Sequence, residues 1–228
     1  MSLGTYRTIR ATLETGYLID CQEHTTNPPR AVAVVLHGYG QTPALMMSPM
    51  RRAVGPQVPV VGVRGPFAFF STPTGEPRAD ANVVYNWGVP EHWEEAIRLH
   101  HEVVRQVVGE VKTEFGIGGE RILLAGFSQP VGLNYRFAAA YPGEVGGVAG
   151  FCGGVPKKWN PEQGITAPVL HIGRDADEYY PVAEIEDQFR RLREVAEDVE
   201  THLLPGPHRF PSQSGSLVRA WMERVFGP

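Results

Sequence analysis

The chain predicts an α/β fold: a mostly parallel, doubly wound sheet with helices on both faces, opened by an antiparallel N-terminal hairpin. Three observations predict it. Unbroken apolar, β-branched runs such as AVAVVL at 31–36 mark strands buried on both faces. Such runs alternate with helical patterns through to the C-terminus. The 228 residues, 42% hydrophobic and 20% charged, suffice for one sizeable core, so one domain over 1–228 is expected.

Each element has its own signal. Residues 6–21 mix Thr, Ile, Leu and Tyr around Thr15-Gly16, a hairpin pattern. Asn27-Pro28-Pro29 is a turn before strand 31–36. Met46, Met47 and Met50 suit a helix packed on the sheet. A second strand at 58–63 is weakened at its start by Pro59. Residues 64–88 have no clear period and carry Phe67, Phe69, Phe70, Tyr85 and Trp87 among prolines and glycines. A loop of that length in a compact domain usually serves function, and these aromatics make a candidate acyl pocket. Over 90–115, Trp93, Ile97, Val104, Val108, Val111 and Phe115 fall on one helical face, closed by Gly116 and Gly118. Strands at 121–125, 145–151, 168–172 and 199–204 then alternate with helices at 131–140, 182–195 and 214–226.

Bulk properties exclude several classes. The net charge is −4 and the basic residues are scattered, so no nucleic-acid partner is expected. The N-terminus MSLGTYRTIR lacks a signal-type apolar core, and no run is long enough for membrane insertion. Cys21 and Cys152 do not form a disulfide framework and fit a reducing, cytoplasmic setting. His100 and His101 are adjacent on a helix and diverge, so no metal site is expected. A homodimer is the candidate assembly.

The chemistry centres on Ser128. The apolar run 122–125 ends in Gly126-Phe127-Ser128-Gln129-Pro130, and a helical pattern follows. A serine on such a strand–turn–helix is presented at the end of a central strand. Serine is a weak nucleophile and needs a base, itself oriented by a carboxylate. Both follow in order, each after a later strand: HIGRDADEYYP, then LLPGPHRFP. His208 is the candidate base. Asp177 is the preferred acid, with Asp175 the alternative and Glu178 in the same loop. An oxyanion hole requires aimed N–H donors. The candidates are the Gln129 amide and, from the turn His37-Gly38-Tyr39-Gly40-Gln41, the Tyr39 amide.

LHGYGQ, GFSQP, DEYYP and the GPH turn together resemble the phospholipase/carboxylesterase group of α/β-hydrolases, over most of the chain from about residue 31. The resemblance implies an α/β-hydrolase fold, a site with little or no lid, and hydrolysis of esters or thioesters without a cofactor. It favours Asp177, which lies four residues before Pro181, and places Trp87 beside the acyl site. Phe70, Trp87 and Tyr179 are the candidate substrate-binding residues. There are three departures from the pattern. Pro130 stands where glycine is usual, the loop 173–177 is one residue longer, and Tyr179-Tyr180 replace smaller apolar residues. Proline suits a first helical turn but restrains the residue before it, here Gln129. The expected activity is hydrolysis of small-molecule carboxylic esters with short to medium acyl chains through an acyl-enzyme. The alternatives are a thioesterase on acyl-protein or acyl-coenzyme A, and a hydrolase-fold binding protein impaired by Pro130.

Overall fold

The computed structural model describes residues 7, 9, 12–20, 28–72, 82–158 and 164–227. Its strands are β1 (Tyr17–Asp20), β2 (Val32–Leu36), β3 (Val60–Val63), β4 (Phe67–Phe70), β5 (Val83–Asn86), β6 (Ile122–Phe127), β7 (Gly147–Phe151), β8 (Val169–Arg174) and β9 (Val199–Leu204). Its α-helices are α1 (Pro43–Val54), α2 (Trp93–Phe115), α3 (Val131–Ala140), α4 (Val182–Val195) and α5 (Gly215–Phe226).

The main sheet has seven strands in the order β1-β3-β2-β6-β7-β8-β9. Every neighbouring pair is parallel except β1 on β3. The N-terminal antiparallel pair is therefore made by β1 with β3, Leu18 facing Gly62. The first arm of the expected hairpin falls largely outside the described residues, as do Cys21 and Asn27. Every residue of β2, β3, β6, β7 and β8 is buried, as their unbroken apolar runs predict. The outer strands β1 and β9 are only half-buried.

Helices cover both faces. On one, α2 and α3 pack Val104, Val108, Leu133 and Phe137 over Val34, Leu36, Ile122 and Leu124. On the other, α1 and α5 pack Met46, Met50, Val218 and Trp221 over Ala33, Val35, Leu123 and Ala149. Alternate residues of one strand thus serve opposite cores, each buried aliphatic side chain contributing roughly 1.5–3 kcal/mol. Residues 64–88 are not a plain loop. They contribute β4 and β5, an antiparallel pair forming a separate small sheet. Four-residue strands with mixed exposure carry too little alternation to be read as strands. No helix among the described residues is long and apolar enough to cross a membrane.

Candidate active site

The C-terminal ends of β6, β8 and β9 place the three residues the sequence singles out. Beyond β6, Ser128 sits at φ 62°, a left-handed conformation rare for a residue with a side chain. Its N–H donates to Phe151 O at 2.8 Å, and Val131 N–H donates to Ser128 O at 3.2 Å as α3 begins. The turn needs glycine around it. A Cβ at Gly126 would lie 2.7 Å from Asn134 Nδ2, and one at Gly153 would lie 2.5 Å from Ser128 O. Pro130 fits the same space. It adopts φ −77° and ψ −8° just before α3, and its carbonyl accepts the Asn134 N–H at 2.8 Å.

His208 bridges the other two. Its Nε2 is 2.9 Å from Ser128 Oγ and its Nδ1 is 2.7 Å from Asp177 Oδ2. With the Asp177 carboxylate accepting at Nδ1, a neutral imidazole leaves Nε2 free to accept the Ser128 proton. The Asp177 side chain is 1% exposed, so its charge faces His208 rather than water. Its other oxygen accepts the Tyr179 and Tyr180 amides at 2.9 and 3.1 Å, which fixes the carboxylate's orientation. Asp175 instead holds Gly206 N–H at 2.8 Å, and Glu178 holds the His208 backbone N–H at 2.9 Å. That bond, with the nearby His208 and Arg209, keeps the Glu178 carboxyl below its usual range. All three acidic residues of this loop therefore grip the His208 turn, but Asp177 alone faces the imidazole. The rings of Phe127 and Tyr179 flank His208 at centroid distances of 5.2 and 4.7 Å.

Two amides beside Ser128 are left over. In the 38–41 turn, Gly38 N–H donates to Gln41 Oε1, Gly40 N–H to Tyr85 O and Gln41 N–H to Gly38 O. Tyr39 N–H has no hydrogen-bond partner among the described residues, and neither does Gln129 N–H. Both residues line one cleft of about 550 Å³ together with Ser128 and His208. Leu45, Met46, Pro49, Phe127 and Phe210 give it apolar walls, and Tyr39 and Tyr179 stand exposed at its rim.

Phe70 and Trp87 do not reach this cleft. Trp87 is fully buried between His37 and His100, its indole N–H donating to His37 O at 2.8 Å. Phe70 ends β4 in the separate small sheet. A tryptophan in an aperiodic stretch has the same sequence signature whether it lines a pocket or closes a core. Sequence reasoning missed Phe127, Met46 and Phe210 as cleft walls. Phe127 alone was accessible to it, as the neighbour of Ser128 in the strand–turn signal.

His37 is structural. Gly65 N–H donates to its Nε2 at 2.9 Å, so its proton lies on Nδ1 and goes to Gly38 O at 2.8 Å. Burial lowers its pKa and keeps it neutral. Among the described residues no group of three His, Cys, Asp or Glu side chains is placed to hold a metal ion.

Comparison with known proteins fits this architecture. The chain is similar in structure to esterase PE8, with a TM-score of 0.71 at 20% identity, covering 94% of this chain and 100% of that one. It is similar to a carboxylesterase from Mesorhizobium loti, TM-score 0.68 at 21% identity, covering 87% and 90%. It is also similar to the Bacillus cereus carboxylesterase, TM-score 0.70 at 18% identity, covering 92% and 94%. At these identities the likeness carries the fold, an α/β-hydrolase. A search of curated protein sequences finds no match. The phospholipase/carboxylesterase family model, in contrast, matches residues 21–224. The chain belongs to the phospholipase/carboxylesterase family.

Proposed function

We infer that the protein is a serine carboxylesterase acting on esters of short to medium acyl chains. One observation carries the reading: Ser128 Oγ, His208 Nε2, His208 Nδ1 and Asp177 Oδ2 form an unbroken line of contacts at 2.9 and 2.7 Å. Nε2 takes the Ser128 proton as Oγ attacks the ester carbonyl, and Asp177 stabilises the imidazolium. The carbonyl oxygen becomes an oxyanion, for which the unbonded amides of Tyr39 and Gln129 are the donors. Collapse expels the alcohol, which receives the proton from His208. Water then attacks the acyl-enzyme, giving its proton to His208; the intermediate collapses to release the acid, and His208 returns the proton to Ser128 Oγ. No step calls for a metal or cofactor.

The open, apolar cleft supports a small ester, with Tyr179 contacting it at the rim. The unpaired thiol of Cys152 supports a reducing, cytoplasmic setting. Ser128→Ala should lower p-nitrophenyl acetate turnover by about a thousandfold or more. Full turnover in that variant would overturn the reading. Matched oxygen esters and thioesters assayed side by side test the substrate: a strong preference for the thioester would make the protein a thioesterase.

A further inference from the structure

The two unbonded amides come from turns far apart in sequence, 38–41 and 128–130. Strands β2 and β6 are neighbours, which brings the turns close but leaves their spacing to whatever joins them. Side chains join them. The Gln129 carboxamide makes two bonds to one stretch of backbone: its Oε1 accepts Trp87 N–H at 3.0 Å and its Nε2 donates to Gly88 O at 2.9 Å. The Trp87 indole N–H then donates to His37 O at 2.8 Å, one residue before the turn that carries Tyr39. The His37 ring continues the tie through Gly38 O and Gly65 N–H. Trp87 is fully buried, so it cannot swing away from either partner.

We propose that the Gln129 carboxamide and the Trp87 indole are positioning residues that set the separation of the two oxyanion donors, Tyr39 N–H and Gln129 N–H. The proposal rests on reading Ser128 as the nucleophile. Its physical basis is that an oxyanion donor works only within a few tenths of an ångström of its target, and a displacement of about 1 Å costs on the order of a hundredfold in rate. The clamp also holds Gln129, the residue whose backbone Pro130 restrains.

Trp87→Phe keeps an aromatic ring and removes the indole N–H. Gln129→Met keeps the backbone amide and side-chain length but removes both side-chain bonds. Each is assayed on a p-nitrophenyl ester and titrated with an alkyl trifluoromethyl ketone. The ketone carbon takes the Ser128 oxygen, the Ser128 proton passes to His208, and the hemiketal oxyanion occupies the place between the amides. In both variants kcat should fall about ten- to a hundredfold, with KM within about threefold of wild type. Ketone affinity should fall by the same factor, and the acid limb of the pH–rate profile should stay in place. A fall in kcat without loss of ketone affinity overturns the proposal, as do wild-type values in both variants. The unaltered protein gives a test independent of variant folding. The Trp87 indole proton should shift in the NMR spectrum when the ketone binds, and an unmoved signal overturns the proposal. Ser128→Ala separates the two levels. If it abolishes turnover while Trp87→Phe and Gln129→Met are silent, only the clamp falls. If it keeps turnover, the reading of the site falls.

Discussion

Strands β6 and β7 lie side by side, and each runs into a nucleophilic side chain at positive φ: Ser128 at 62° and Cys152 at 49°. Among the described residues these are the two non-glycine positions in that region. Both amides donate to the next strand over, Ser128 N–H to Phe151 O and Cys152 N–H to Ile172 O. The backbone device is therefore the same, at a cost on the order of 1–3 kcal/mol for each residue. The surroundings differ. Ser128 opens into the cleft with His208 at 2.9 Å. Cys152 is 2% exposed and its thiol donates to Arg209 O at 3.4 Å. Burial, with the nearby Asp177 carboxylate adding to it, pushes the Cys152 thiol up to about 12. Strain lifts a side chain out of the strand; a base and an opening to solvent decide whether it can react.

Exchanging what the two positions depend on gives the largest expected effect. Asp177→Asn removes the carboxylate that fixes the His208 tautomer and should lower turnover about a thousand- to ten-thousandfold. Cys152→Ala should leave turnover within about threefold, because no step uses the thiol. Comparable losses in the two variants would erase the distinction, and steady-state kinetics on one ester checks both.

Acid should separate the buried interior from the open site. Burial holds His171 at about 3 and His100 at about 3, with the charge on His101 lowering His100 further. His101 is held at about 4 by burial and Arg136. These folded-state values lie below the unfolded one, so the unfolded chain binds more protons as pH falls. The stability they carry is complete above about pH 6.5 and is lost progressively as pH falls towards 4 and 3. Tm measured from pH 7 to pH 4 should fall, and His101→Phe should fall less steeply. A flat Tm in the wild type would contradict this. Turnover measured in parallel with Tm over the same range tells loss of the fold from loss of activity.

Pro130→Gly should have the smallest effect, within about threefold on turnover, because the first turn of α3 requires no N–H there. A gain of orders of magnitude would mean that the native turn is impaired and that Ser128 is closer to Cys152 than the geometry indicates.

The strands and helices that bury whole faces were legible in the sequence. The patterns at 131–140, 182–195 and 199–204 coincide with α3, α4 and β9. The convergence of Ser128, Asp177 and His208 was legible because each follows a readable strand, in the chain order that the family resemblance implies. Trp87 and Phe70 were not, since aromatics in an aperiodic segment do not reveal whether they face a cleft or a core. The Gln129 clamp was not legible either: its partners, Trp87 and Gly88, lie about forty residues upstream, and no local period links them. Within that loop Asp177 was only partly separable from Asp175 and Glu178, which follow the same strand; only the structure shows that Asp177 faces the imidazole.

The most direct test of the account treats the native protein with a fluorophosphonate and locates the adduct by mass spectrometry. The account predicts stoichiometric modification at Ser128, lost in Asp177→Asn over the same interval, with Cys152 unmodified. No adduct at Ser128, or modification at Cys152 instead, would contradict it.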